Sequence, residues 1–436
     1  MAITQERSGC FVTRQDRTTQ TPSPNRAKCC LALRRLSLSH FRNYRSFRLD
    51  LEPGAPPIAV LLGPNGSGKT NFLEAISYLA PGRGLRGARL ADVTYMEEPI
   101  PWAVAATLAT PRGLVEVGTG LTPPPPPIRG HRLAEAASGA AEGPASNPVV
   151  AVRRQVRIDG VFASGPAALG EHVSVAWLTP KMDRLFKEAA SGRRRFFDRL
   201  VLGLHPDHGK HLAAHERTMR ERLRLLTQRQ RLAEPNWLTA LERKISESGV
   251  AIAAARIDTL MHLQEQIDKS AEGAFPKADL KLVGLLEEWL VDRPAIEVED
   301  AFAVRLHETR PLDGEIGRQS AGIHRSDLEV HHRKKSIPAA LCSTGEQKAL
   351  LINMVLADAR MQYQLRGAGP ILLLDEVAAH LDEMRRRSLF GELLSLNSQI
   401  WLTGTDAGLF QALDGRAAFY GAGENKLAPL ASGSQA

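Results

Sequence analysis

Gly63-Pro64-Asn65-Gly66-Ser67-Gly68-Lys69-Thr70 is the stretch whose residue types and spacing are most committed to chemistry. It fits G-x-x-x-x-G-K-[ST], a loop that cradles phosphate groups. Glycines let the backbone curl until its N–H groups point at an anion. Lys69 is long enough to reach terminal phosphates, and the Thr70 hydroxyl can hold Mg²⁺. The flanks agree. Ile58-Ala59-Val60-Leu61-Leu62 is an apolar run of buried-strand type, and Asn71-Phe72-Leu73-Glu74-Ala75-Ile76 reads as a helix with its N-terminus at the loop. A chance glycine-rich turn would lack this strand, loop and helix order.

A pair of carboxylates supplies the second half. Ile371-Leu372-Leu373-Leu374 is an apolar run that ends in Asp375-Glu376, the form of a Walker B strand. Asp375 would orient Mg²⁺ and Glu376 would polarise an attacking water. By itself the pattern is an ordinary strand end; beside the phosphate loop it becomes specific. Upstream, Ser343-Thr344-Gly345-Glu346-Gln347 opens a helix. Ser343 and Glu346 satisfy a capping box. The same segment resembles the signature motif of ABC-type ATPases, where small residues at a helix N-terminus meet the γ-phosphate of an ATP held by a second subunit. Val377 to Asp382 resembles the D-loop of that class. The strand Gln399 to Thr403 leads to Gly404-Thr405-Asp406, where such enzymes carry a switch histidine. No histidine stands there, so Thr405 or Asp406 would substitute. No residue can be assigned to the Q-loop.

The elements that must position these groups follow from composition and periodicity. At 436 residues, 43% hydrophobic and 24% charged, the chain has room for two or three domains around a sizeable core. No apolar run reaches 18 residues, which excludes a spanning helix. Four cysteines without metal-ligand spacing suit a reduced, cytoplasmic protein. Net charge is +8 and unevenly placed: residues 1–48 hold ten Lys/Arg against two Asp/Glu, and residues 184–231 hold thirteen against five. Two basic segments on a mildly acidic body fit a polyanion partner; a solvated helix face plus a basic tail fits equally well. Residues 1–30 read as a disordered extension. Residues 31–181 read as the first part of an α/β head, interrupted at 123–148 by a Pro- and Ala-rich insertion. Residues 182–275 form a helical lobe, with Arg217–Arg231 basic and amphipathic and Trp237–Gln266 apolar at helical spacing. Residues 276–425 return to the head, and 426–436 are a flexible tail. The fold class expected is α/β: an ABC-type P-loop ATPase head with an inserted helical lobe.

The signature begins more than 270 residues after the loop. That is too far for a transporter nucleotide-binding domain and too near for long coiled-coil arms. In this arrangement the chain resembles the RecF family of bacterial recombination-repair ATPases. The resemblance rests on Phe41-Arg42-Asn43-Tyr44, the loop through Ile76, Gly82 to Arg86, Pro180 through Asp198, Gly322 to Leu328, and the signature-to-D-loop block. Departures are Lys181, Ala190-Ser191-Gly192 and Ser326, which replaces a usual aspartate. The resemblance implies an ATP- and Mg²⁺-dependent protein with weak, DNA-stimulated ATPase activity. It implies a head-to-tail homodimer formed on ATP, which clamps DNA at single-strand gaps and duplex junctions. RecR, and often RecO, are the implied partners in favouring RecA loading, with no membrane involved. ATP would lie between Gly63 to Thr70, Arg42, Asn43 and Asp375 of one subunit and Ser343, Gly345, Gln347 and Asp382 around the other face. Arg193, Arg194, Arg220, Arg222 and Arg224 are the candidate phosphate contacts to DNA; each could instead be a solvated or ion-paired arginine. The rival reading is an ABC-type ATPase subunit of another assembly, without DNA. A DNA binder with a relict site is disfavoured by intact Lys69, Asp375 and Glu376.

Overall fold

The computed structural model describes residues 31–98, 100–121, 153–227, 235–423 and 425–430. The expected extension at 1–30 and the insertion at 123–148 lie outside them. Five short apolar segments build the centre. They are β3 (Ile58–Leu62), β8 (Val175–Leu178), β12 (Ile371–Leu374), β13 (Ile400–Gly404) and β14 (Ala417–Gly423), aligned in parallel in the order β14-β3-β13-β12-β8. An antiparallel β15 (Lys426–Pro429) completes the β14 edge, so these residues form a strand where the sequence suggested a flexible tail. Alternate residues of a strand face opposite sides, and here each side meets its own core. Ile58, Val60, Leu372 and Leu374 join one apolar cluster; Ala59, Leu61, Ile371 and Leu373 join the other. A sheet covered on both faces explains the near-continuous apolar runs.

A second, antiparallel sheet covers one side. Its order is β2 (Tyr44–Asp50), β1 (Ala32–Phe41), β4 (Ala103–Thr110), β5 (Gly113–Leu121), β6 (Arg154–Ile158) and β7 (Val161–Phe162). Between the sheets lies α1 (Lys69–Ser77), with Phe72, Leu73 and Ile76 wholly buried. The other side is covered by α2 (Ala190–Leu204), α8 (Thr344–Arg366) and α9 (Glu383–Ser395). Helix α8 is buried nearly all round, from Gln347 to Gln362, as befits a helix at the centre of a large domain.

The inserted lobe is larger than its sequence suggests. Helices α3 (His208–Thr227) and α4 (Pro235–Lys269) were expected, but helices continue past residue 275. After β9 (Ala278–Val283) come α5 (Leu285–Asp292), α6 (Ala295–Glu308) and α7 (Arg310–Ile316). Val298, Phe302 and Leu306 of α6 pack on Ile245 and Ile252 of α4 in a third core. Strand β9 pairs with β10 (Asp327–His332), itself paired with β11 (Ile337–Pro338), and this small sheet joins lobe to head.

Arg222 stands at the centre of the lobe and is fully buried. Its Nε donates to Glu242 Oε1 at 2.9 Å, Nη1 to Asp313 Oδ2 at 2.7 Å and Nη2 to the Leu306 carbonyl at 2.5 Å. It ties α3, α4, α6 and α7 together. Its assignment as a DNA contact is therefore corrected: with no surface, it cannot meet a phosphate. Truncating one member of such a network leaves uncompensated buried charge, a loss of about 3–5 kcal/mol. Arg222→Ala is expected to lose hydrogen-exchange protection throughout α3, α4 and α7 while α1 and β3 keep theirs. Unchanged protection in the lobe would show that the network is dispensable.

Candidate nucleotide site

The phosphate loop joins β3 to α1 at the C-terminal edge of the parallel sheet, where open α/β sheets place ligands. Gly66 and Gly68 have φ of 85° and 94°, a region costly for any residue with a Cβ. At Gly68 a Cβ would also lie 2.6 Å from Asn43 Nδ2. Lys69 Nζ donates to the carbonyls of Gly63 at 2.6 Å and Pro64 at 2.8 Å, folded over its own loop. Burial lowers its pKa, and the carboxylates of Glu376 and Asp375 oppose that. Ser67 Oγ is buried without a hydrogen-bond partner. A cation parked on carbonyls, an unpaired hydroxyl and a glycine cradle fit a polyphosphate.

Thr70 and Asp375 are 305 residues apart in the chain and meet here. Thr70 Oγ1 lies 3.1 Å from both carboxylate oxygens of Asp375. Thr403, at the end of β13, donates from Oγ1 to Asp375 Oδ1 at 2.8 Å and accepts from the Glu376 backbone N–H at 2.9 Å. Burial raises the Asp375 pKa, against the hydroxyl hydrogen bonds that favour its charge. Its protonation therefore begins at a higher pH than that of an ordinary aspartate near 4. Glu376 adopts φ of 52°, rare for a non-glycine residue and frequent at working sites.

The signature residues lie at the start of α8. Ser343 caps it: its Oγ accepts from Glu346 N at 3.3 Å while Glu346 Oε2 accepts from Ser343 N at 3.1 Å. Ser343 and Gly345 are exposed; Gln347 is not. The Gln347 amide turns inward and donates to the Cys342 carbonyl at 2.8 Å, so its side chain braces the signature turn and does not face outward for ATP, a correction to its expected role. Asp382 caps α9, accepting from Arg385 N at 2.8 Å, and Arg385 Nη1 reaches the Gly345 carbonyl at 3.3 Å. The first turn of α9, which Asp382 caps, thus touches the signature turn. Among the described residues Asp406 caps its own turn, accepting from Gly408 N at 2.8 Å.

Arg42 clamps Glu74 through Nε and Nη2 at 2.9 and 2.8 Å and donates from Nη1 to the Asp92 carbonyl at 2.7 Å, fixing its turn to α1. Asn43 accepts from Asn71 Nδ2 at 2.7 Å and donates to Asn425, so it lies beside the loop. Arg193 is held bidentately by Asp327 at 2.9 and 2.6 Å, and Arg194 donates to the Ser326 carbonyl at 2.7 Å. Both fasten α2 to β10, which corrects their reading as free phosphate contacts. Arg220 and Arg224 stay exposed on α3. Sequence reasoning missed Thr403, Asn71 and Lys348. Thr403 looked like the last residue of a strand, and only the neighbouring place of β12 and β13 discloses its role. Lys348 is buried with its Nζ 3.7 Å from Asp183.

Phosphate loop, paired carboxylates and signature helix on one parallel sheet define a P-loop ATPase of the ABC type. Residues 35–89 match a family described as an AAA domain. The chain is 47% identical over 386 residues to the "DNA replication and repair protein RecF" of Mesorhizobium japonicum, covering 88% of this chain and 94% of that protein. It is 44% identical over 399 residues to the protein of the same name from Brucella suis, covering 91% and 96%. Among solved structures, one titled "Structure of the recombination mediator protein RecF-ATP in RecFOR pathway" shares the fold with a TM-score of 0.75 at 19% identity, over 94% of this chain and all of that one. The chain belongs to the RecF family.

Thr403→Val keeps the shape and removes both hydroxyl bonds. Losing a buried group that orients a metal-binding carboxylate costs about 10–100-fold in activity or affinity. Steady-state ATP hydrolysis should fall by that factor with the fold intact. Wild-type turnover would remove Thr403 from the site.

Proposed function

We propose that this chain is an ATP-switched DNA-binding protein of recombinational repair and replication. Two copies associate head to tail on ATP and clamp DNA at single-strand gaps, favouring RecA loading with RecR and RecO. The observation that carries the reading is the split site. Thr70 and Asp375 converge on the phosphate loop of a chain whose own Ser343 and Gly345 are exposed at another helix N-terminus. A second copy would bring those residues to the same nucleotide. The family membership and the RecFOR pathway named for a structurally similar protein support the biological assignment.

The residues have distinct parts. Backbone N–H groups of Gly66 to Thr70 and the α1 N-terminus hold the phosphates, and Lys69 leaves its carbonyls for them. Thr70 and Asp375 would hold Mg²⁺, which supplies charge neutralisation to phosphoryl transfer. Glu376, held by Thr403, accepts the proton of the attacking water. Ser343 and Gly345 close the site from the partner, so bound nucleotide stabilises the dimer and hydrolysis releases it. Arg220 and Arg224 are the remaining candidates from the sequence for sequence-independent phosphate contacts. The dimer would provide a weak, DNA-stimulated ATPase.

Two variants test the split. Ser343→Arg is expected to bind ATP as a monomer and fail to dimerise. Lys69→Ala is expected to lose ATP binding. Mixed, they can form one intact composite site per heterodimer, so ATPase activity should partly recover. Dimerisation of Ser343→Arg with ATP, read by light scattering, would contradict the head-to-tail arrangement, as would loss of ATP binding by its monomer.

A further inference from the structure

A cleft outside the nucleotide site lies on the opposite edge of the parallel sheet, where β8 and β12 begin. It has a volume of about 480 Å³. Its walls come from the β4–β5 hairpin tip, the residues leading into β8 and the last turn of α8. Two arginines face each other across it. Arg112 is exposed on the hairpin tip, and no carboxylate pairs with its guanidinium among the described residues. Arg366 donates from Nη1 to the Gly203 carbonyl at 2.6 Å and from Nη2 to the Gly170 carbonyl at 3.2 Å, so among the described residues its hydrogen-bond acceptors are neutral. Burial and the nearby Arg112 both oppose its charge. The one acid on the rim, Glu171, lies 3.5 Å from Lys210 outside the cleft. His172 and Ser174 add hydrogen-bonding groups, and Val115 and the half-exposed Leu365 add apolar wall.

We propose that this cleft is a docking site for a short acidic segment of a partner protein that carries an apolar side chain. Charge complementarity selects the occupant: two uncompensated cations call for carboxylates, and the apolar walls call for an aliphatic or aromatic residue between them. The chain's own residues 1–30 precede Leu31 at the cleft rim but hold five Lys/Arg against two Asp/Glu, so like charge disfavours them. A nucleic acid strand would be met by a longer run of cations and less apolar wall. The location gives the site a consequence. Arg366 ends the helix that Ser343 begins, and a helix of 23 residues is about 35 Å long. A partner seated at Arg366 therefore grips the far end of the rigid element that presents the signature residues.

The test uses the full chain and an immobilised set of short peptides in which Asp and Glu flank Leu or Phe, with matched peptides carrying Lys in place of the acids. Oligo(dT) is the nucleic-acid arm. Acidic peptides should bind, the Lys series should not, and Arg112→Glu should weaken binding by at least about tenfold, as loss of a close charge pair does. Leu365→Asp, on the opposite wall, should do the same. ATP binding should be unchanged in both variants. The proposal is overturned if no acidic peptide outbinds its Lys counterpart, or if binding ignores both substitutions. It is also overturned if Arg112→Glu abolishes oligo(dT) binding and leaves peptide binding intact.

Discussion

The carboxylate of Asp375 is the point on which the site depends. It is buried at the end of β12, and hydroxyls from two other elements converge on it: Thr70 from α1 and Thr403 from β13. A buried carboxylate is costly unless it is hydrogen-bonded or paired with a cation, and here the hydroxyls supply part of that compensation. The parallel sheet makes the convergence inevitable. With β3 beside β13 and β13 beside β12, all three strands end on one edge, so the loop after β3 and the acids after β12 share one opening. Glu376 is drawn into its left-handed backbone at the same place, with its N–H fixed by Thr403.

The two halves of the proposed composite site are rigid for different reasons. The phosphate loop is held by glycine geometry and by Tyr44, Asn43 and Asn71 around it. The signature is held by a capping box and by the burial of α8 behind it. The lobe relies more on charge. Arg222 with Glu242 and Asp313, and Arg256 with Asp198 and Glu287, are buried ion networks that join helices from distant parts of the chain. Such networks add little net stability, but they penalise any packing that leaves a charge unpaired.

Much of the site was legible because its chemistry demands particular residues at short spacing. The phosphate loop, the Asp375-Glu376 pair and the Ser343 cap are local signals. The parallel strands β3, β12 and β13 were legible as apolar runs, whereas β14, an Ala- and Gly-rich segment, was not. What the sequence hid depends on contacts between distant segments. A basic run on α3 cannot tell which arginine points inward: Arg222 is wholly buried while Arg220 and Arg224, two residues either side, are exposed. Arg193 looked available until β10 brought Asp327 beside it. Gln347 stands in the signature segment two residues after Gly345, yet its amide is drawn inward by the Cys342 carbonyl. Helices α5 to α7 were missed because much of their surface is polar or exposed and only one stripe of α6 meets α4.

The central claim is that Asp375, held by Thr70 and Thr403, is the cation anchor of a nucleotide site. Titration of ATP into the wild type and into Asp375→Asn, each with Mg²⁺ and with a chelator, tests it most directly. The account predicts that Mg²⁺ tightens ATP binding to the wild type and has little effect on the variant, which keeps its fold and its metal-free affinity. An equal Mg²⁺ effect on both proteins would contradict it.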